Sequence, residues 1–470
     1  MKKLKLLTAT MFSVLALTAI QGCTPPEGEK IVLKIGFWPE TSEKKDVAMY
    51  QEWEKQFEAA YPQYDIVGDH YTYDTTTIAT KHLTDSLPTV FQTWFTEPLK
   101  LVDKGYIRSI DEQLKAADWL DDMDPDMKAA LTFDNKVYGI PRDGYGLGLL
   151  INIKTLGECG LLPENEDGTY SIYNEDGSPA YPTTFEEIME FSLTISESTD
   201  TKGILICSAN KNGGWQFSNM AWNYGATLQS VDNNGKVTSH LNCEEAVKAL
   251  TWIQDMKLND TLLNSISIVY DDWYNAINER VAMAIVGSDV LHVAQTNGGV
   301  DMDNLAFVPM PTGDGIHRYS LYGGTPYVFA KSATDEQVEG VLKFFEYVGR
   351  TPKVSDISKA AMVQGFTVAQ NKNQPVLPTI KPWINEEYVT YAESLEDAYV
   401  DVKMENYQEF FDNINQNKHS EVQYGAQEMY EYLDAAIQSV LSNPETANPK
   451  SLLTTANAQM QQYLDKNVNK

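Results

Sequence analysis

Tryptophan, tyrosine and short polar side chains at the ends of apolar runs are the residues of this sequence best suited to chemistry on a ligand. The chain holds 26 Tyr, 16 Phe and 9 Trp among 470 residues. A Tyr or Trp ring joins a flat apolar face to a polar edge, which suits recognition of a sugar ring. Trp38 and Glu40 follow the apolar run from Ile31, Gln92 and Trp94 close the run from Leu87, and Asp143 and Tyr145 sit in a Pro- and Gly-laced segment. Trp215, Asn219 and Trp222 share one aromatic and polar stretch. Asp289 follows the run that ends at Gly287-Ser288, Gly324 opens another, and Trp383 stands in a polar stretch after Pro382. Trp94, Trp215 and Trp222 either stack on a ligand or fill the core, since Trp is rarely fully buried. Asp143, Tyr145 and Asp289 either hydrogen-bond hydroxyls or are solvated loop residues.

Catalysis finds no positive support. G-x-S-x-G, the P-loop and H-E-x-x-H are all missing. Gly144-x-Gly146-x-Gly148 has the wrong spacing for a dinucleotide loop and precedes a strand pattern, not a helix. Asp122, Asp124 and Asp126 alternate as in a calcium loop. Met127 stands where that loop needs Gly and Phe133 where it needs Glu, so they read as a solvated helix start. The six His are scattered, and none pairs with Cys at ligand spacing, so no metal and no cofactor is expected. Among 66 acidic residues a glycosidase-like carboxylate pair carries no information.

The elements that must position these residues read as alternating strands and helices. Ile31–Trp38 is a β-branched strand ending at Pro39, Val47 to Phe57 keeps partial helical spacing up to Pro62, and Asp65-Ile-Val67 opens a second strand. Strand, helix, strand is the unit of a parallel sheet, and open sheets of this kind bind ligands beyond the carboxyl ends of their strands. Thr184-Phe-Glu-Glu187 is a capping box before Ile188, Phe191 and Ile195. Asn242-Cys-Glu-Glu245 caps a helix with Val247, Leu250 and Ile253, and Thr334-Asp-Glu-Gln337 caps one with Val338, Val341 and Phe345. A last helical pattern holds Met429, Leu433, Ile437 and Val440. Trp53 and Trp252 lie on helices and read as packing. Asp-Gly turns at 167–168 and 176–177 flank Thr169–Tyr173, read as a strand. A chain of 470 residues exceeds one core, so two domains are expected.

Taken in order, Asp134–Pro141, Leu147–Asn152, Cys159–Pro163 and Pro182–Ile188 resemble the extracellular solute-binding proteins of sugar ABC transporters, the maltose-binding-protein-like family. Leu87–Trp94 is similar to the family's strand into the cleft, with Thr89 in place of the usual Asp. Pro98–Ile110 is similar to its helix, glycine stop and short strand. Tyr270–Ser288 matches the helix and strand that deliver a Gly-Ser or Gly-Pro turn; many members follow it with Trp, where this chain has Asp289. The resemblance implies an α/β fold of the periplasmic-binding-protein type II, with two lobes, three crossings between them and a ligand cleft in the middle. Residues 31–141 and 306–350 are then expected in lobe 1, and 142–305 and 351–470 in lobe 2. The crossings fall after Pro141, at Leu305–Pro311 and near Gly349–Ser358.

The N-terminus sets the compartment. Met1-Lys-Lys-Leu-Lys5 is basic, and Leu6–Ile20 is an apolar segment too short for a membrane span, as in a secretory signal. Ile20-Gln-Gly-Cys23 resembles a lipobox, which implies cleavage before Cys23 and a diacylglycerol on its thiol; ordinary cleavage with a free Cys23 is the other reading. Residues 1–22 form the signal and 23–30 a tether, which places the protein in the cell envelope, anchored by lipid on the outer face of the cytoplasmic membrane or in the periplasm or outer membrane. Cys159, Cys207 and Cys243 form no C-x-x-C and allow at most one disulfide. A net charge of −30 argues against nucleic acid and anionic membrane surfaces. The resulting expectation is a monomeric receptor without enzymatic activity, which binds a mono- or oligosaccharide and delivers it to the permease of an ABC importer by lobe closure. The alternatives are the same fold binding a polyamine or phosphate ester, and a surface-anchored glycan-degrading enzyme.

Overall fold

The structure, a computed structural model, describes residues 30–263 and 265–470. The signal segment, Cys23 and the tether up to residue 29 lie outside the described residues.

Ten strands form the main sheet: Ile31–Ile35 (β1), Tyr64–Gly68 (β2), Val90–Gln92 (β3), Gly139–Asn152 (β4), Lys202–Leu205 (β5), Leu262–Leu263 (β6), Val281–Gly287 (β7), Leu305–Val308 (β8), Ser320–Phe329 (β9) and Lys418–Ser420 (β10). Their order is β6-β5-β7-β4-β9-β3-β1-β2, with β8 also on β4 and β10 on β9. Around them lie the helices Lys44–Ala60 (α1), Phe185–Ser198 (α2), Asn212–Asn223 (α3), Glu244–Leu258 (α4), Asp335–Tyr347 (α5), Asp356–Asn371 (α6), Glu386–Tyr399 (α7), Gln408–Asn417 (α8), Ala426–Ser442 (α9) and Pro449–Asn467 (α10). β7 is buried at every position of Val-Ala-Met-Ala-Ile-Val-Gly, as expected for a strand covered on both faces. The capping boxes of α2 and α5 form as read from the sequence. α4 starts at Glu244 behind Cys243, which makes no side-chain cap. Between the two Asp-Gly turns only isolated bridges form in place of a strand, because Tyr170 pairs back across the first turn with Glu164 and Tyr173 across the second with Pro179.

Two lobes arise because β4 and β9 each change neighbours halfway along. Gly139–Gly146 pairs antiparallel with β9, and β9 pairs with β3. Beyond Gly146, β4 pairs with β7 on one side and β8 on the other. Leu33, Ile35, Phe57, Tyr327 and Phe345 centre the core of the first lobe. The second lobe has one core on each face of its sheet, around Phe185, Leu250 and Leu433 and around Ile277, Phe307 and Phe410.

Two segments set the chain's path between the lobes. β8 pairs with Leu149–Asn152 and so stays with the second-lobe sheet; the return strand is β9, at Tyr322–Gly324. Downstream of α5, α6 and α7 still pack on the first core. Gln364 accepts from Trp53 Nε1 (2.9 Å), Lys353 pairs with Asp118 and Asp122 (3.0 and 3.1 Å), and Tyr388 and Ala392 join the cluster. Leu377 and Ile380 touch the second-lobe core in passing, and from Val402 to Tyr407, whose hydroxyl donates to Met302 O (2.7 Å), the chain stays on it. Apolar side chains on α6 fit either core equally well, so its sequence carries no mark of which one it covers.

Candidate functional site

In the first lobe, the carboxyl ends of β1, β2 and β3 supply one wall of the cleft. Gly36–Pro39, His70–Tyr73 and Thr93–Trp94 line a recess of about 340 Å³ together with Gln92 and Thr325. Trp94 is 45% exposed and holds its edge to Tyr73 (5.3 Å between centroids, 85°). Tyr73 in turn donates to Glu97 Oε2 (2.5 Å), a carboxylate that burial pushes upward in pKa against the help of that hydrogen bond. Trp38 lies so close to Gly68 that a Cβ there would stand 2.3 Å from its ring.

The second wall is aromatic. The first turn of α3 is pinned by Asp434 of α9, which accepts from the Lys211 and Gly214 N–H groups (2.6 and 2.7 Å). That turn carries Trp215, set nearly perpendicular to Tyr270 (5.1 Å, 89°) and to Tyr145 (6.0 Å, 73°). The Tyr270 hydroxyl accepts from Gly287 N–H (2.6 Å), so its own proton is free to donate. Asp289 stands two residues beyond the end of β7. A Cβ on Gly287 would lie 2.7 Å from Asp289 Oδ1, 3.3 Å from the Tyr270 hydroxyl and 3.5 Å from the Tyr145 ring, which shows how tightly these groups converge.

Between the walls run the crossing strands. Arg142 forms an ion pair with Asp143, whose Oδ1 accepts from Thr325 N–H (3.1 Å) across to β9. The Tyr145 ring covers Gly323, and a Cβ on Gly324 would stand 2.4 Å from the Asp143 carbonyl oxygen. Lys100 and Glu428 (3.0 Å) bridge the lobes at the rim, beside Gln427 and Thr96 (3.3 Å). A second recess of about 260 Å³ opens there, lined by Phe95, Met127, Tyr322 and Glu421 among others.

Two carboxylates in this region titrate far from their ordinary range. Glu421, which accepts from Tyr430 (2.6 Å), is raised to about 7, mainly by burial, with Glu97 adding repulsion. Asp289 is also raised to about 7, first by the protein around it and then by Asp143. Its accessible surface is nonetheless that of an exposed residue, and solvent at an exposed carboxylate screens such a shift. Tyr145 and Tyr270 are pushed well above 10, so both remain hydrogen-bond donors.

Of the residues singled out from the sequence, Trp38, Gln92 and Trp94 meet in the first recess, with Glu40 at its exposed edge, paired to His70 (3.3 Å). Asp143, Tyr145, Trp215 and Asp289 gather at the second wall and the crossing, where Gly324 forms part of the floor. Three others lie elsewhere. Trp222 is 2% exposed and stacks on His419 (4.0 Å) inside the second lobe. Asn219 is fully buried, bonding Tyr319 O and Leu321 N to brace β9. Trp383 is 2% exposed and packs on Trp119 (5.7 Å) in the first-lobe core, not on a second-lobe rim. Tyr73, Tyr270, Thr325 and Glu421 are not singled out by the sequence. Tyr73 follows the end of β2, so the rule applied to β1 would have found it.

Flat rings on both walls, with carboxylates, phenols and an amide between them, can cover the faces and pair the hydroxyls of a polyhydroxylated ring. Among the described residues, no group of three His, Cys, Asp or Glu can hold a metal ion, and Cys159, Cys207 and Cys243 are free thiols. No described helix is long and apolar enough to cross a membrane. The sequence profile of the family described as "Bacterial extracellular solute-binding protein" matches residues 52–379. No curated protein matches the chain. Among solved structures, the GacH receptor of Streptomyces glaucescens, solved unliganded and with acarbose, is 18% identical, with 93% of this chain and 98% of that one covered at a TM-score of 0.68. The maltose-bound T. maritima MalE3 is 15% identical (93% and 99% covered, TM-score 0.62), and UgpB from Mycobacterium tuberculosis with glycerophosphocholine is 14% identical (94% and 100%, 0.66). With its two-lobed α/β fold and a match over most of its length, the chain belongs to the bacterial extracellular solute-binding proteins.

Proposed function

We propose that this protein is the carbohydrate receptor of an ABC importer. The observation that carries the reading is the pairing of exposed Trp94 on the first lobe with the Tyr145–Trp215–Tyr270 group on the second, across strands that link the lobes. A sugar bound between them stacks on Trp94 and Trp215, accepts hydrogen bonds from Tyr145 and Tyr270, and donates to Asp143 and Asp289. Trp38, Gln92, Glu40 and the Gly324 floor complete the site. The sugar draws the lobes together by bending β4 and β9 between Asp143 and Gly146 and at Gly323–Gly324, and the membrane permease reads the closed form. In this scheme the first lobe comprises residues 31–145 and 323–400, and the second the remainder. The protein acts as a monomer without turnover, held to the membrane by lipid on Cys23. The similarity to receptors solved with acarbose and with maltose supports a sugar as the solute.

Thermal unfolding of the purified full chain against mono- and oligosaccharides, polyamines and phosphate esters tests this. A sugar at one hundred times its Kd stabilises the native state by about 2.7 kcal/mol, a rise of roughly 3 °C for a chain of this size. A rise with polyamines or phosphate esters alone, or cleavage of the added sugar, would overturn the carbohydrate receptor.

A further inference from the structure

The recess of about 260 Å³ at the rim has walls that a bare sugar does not use. It lies between the lobes, since Phe95 on one side packs on the first core and Val422 on the other packs on the second. Leu99, Met127, Ala130 and Phe133 line the rest of its apolar surface. Among the described residues, Leu99, Met127 and Phe133 belong to none of the hydrophobic cores, so their carbon surface borders this space instead. The charges around it are matched within the protein. Lys418 pairs with Asp126 (2.5 Å) and Asp124 (3.6 Å) and stands over the Tyr322 ring (5.4 Å). Glu421 accepts from Tyr430 (2.6 Å), and with a pKa raised by burial to about 7 it is largely uncharged below neutral pH. A hydroxylated ring placed here would meet carbon on most sides and leave hydroxyls without partners. The recess also adjoins the sugar site. Thr93 and Trp94 line the first recess, and Phe95 and Thr96, next in the chain, line this one. Tyr322 on its wall precedes Gly323, which the Tyr145 ring covers.

We propose that this recess receives an apolar group attached to the sugar, so that the solute is a glycoside of a phenol or other apolar alcohol; this rests on the carbohydrate-receptor reading above. The sugar ring occupies the space beside Trp94, and the apolar group passes the Thr93–Thr96 turn to lie against Leu99, Met127 and Phe133. Carbon on both surfaces leaves water together, which favours binding without any directional contact. Because Val422 comes from the second lobe, the apolar group is covered fully only when the lobes meet, and its burial adds to the drive for closure.

Calorimetric titration of the full chain with matched pairs decides the matter: the methyl and phenyl glycosides of glucose, galactose, maltose and cellobiose, with phenol as an apolar ring without a sugar. The phenyl member should bind about thirtyfold tighter than its methyl twin, as when roughly 80 Å² of ligand carbon surface leaves water. Ala130→Trp, which fills the recess, should bring that ratio to about one and leave the methyl glycoside unaffected. Phe133→Ala, which opens one wall, should lower the ratio about threefold. Methyl and phenyl glycosides bound equally, or a preference untouched by both variants, would overturn the apolar subsite and leave the receptor intact. Phenol bound as tightly as the phenyl glycosides, with no methyl glycoside bound, would retain the recess and overturn the sugar. Failure of every glycoside and of phenol to bind would overturn both.

Discussion

Replacing Glu421 by Gln should flatten the pH dependence of stability between pH 5 and 8. Glu421 accepts from Tyr430, lies near Tyr145 and Glu97, and titrates at about 7 in place of 4.5. The folded protein thus holds this proton more tightly than the unfolded chain does. Its stabilising effect is complete below pH 4.5 and is lost as pH rises through 7. The displacement corresponds to about 3 kcal/mol, which for a chain of this size is roughly 3 °C in Tm. Gln keeps the oxygen that accepts from Tyr430 and cannot ionise. Calorimetric scans at pH 5.0 and 8.0 should therefore show the wild type losing roughly 3 °C more than Glu421→Gln across that interval. Asp289 titrates in the same window, but it is present in both proteins and cancels in the difference. Parallel curves for the two proteins would refute the buried-carboxylate argument.

Trp94→Ala and Trp215→Ala should each weaken sugar binding by about 10- to 30-fold in calorimetric titration, as a stacking face is lost, with little change in the Tm of the ligand-free protein for exposed Trp94 and a lower Tm for Trp215, which packs on the second-lobe core. Trp222→Ala, by contrast, should lower stability by about 3–5 kcal/mol in chemical denaturation, because its ring fills the core against His419. Gly324→Ala should cost about 1–3 kcal/mol in the same assay, since the new Cβ meets the Asp143 carbonyl, which belongs to the backbone and cannot swing aside. Lys100→Met should change stability by less than about 1 kcal/mol yet speed ligand release in stopped-flow experiments, as the pair with Glu428 joins the lobes at their rim; an unchanged release rate would remove it from the closed state.

The sequence was most legible where local rules are strong. The capping boxes at Thr184 and Thr334, the first strand, and the packing roles of Trp53 and Trp252 all follow from spacing, and all stand in the structure. The candidate site was legible where it follows the end of a strand, as with the positions of Trp38 and Trp94 in the first recess. It was not legible where burial depends on distant partners. Trp222 and Trp383 look alike in sequence to Trp94, and only His419 and Trp119, far along the chain, place them in the core. Tyr270 was hidden for the opposite reason: its role comes from the N–H of Gly287, across a turn of the chain that no periodicity records.

Because β9 closes the first-lobe sheet, the protein must fold out of chain order. Val90–Gln92 finds its antiparallel neighbour only when Tyr327–Phe329 has been made. The strands of the second-lobe sheet from Leu147 to Val308 are contiguous in sequence and can pair much earlier, though α9 and α10 cover one face only at the end. Contacts between such distant segments slow folding, and a bare strand edge invites pairing with another chain. The brevity of β3, three residues, keeps that edge small during the wait. A chain interrupted before residue 320 would hold an assembled second-lobe sheet beside an unfinished first lobe, and would be prone to aggregate through it.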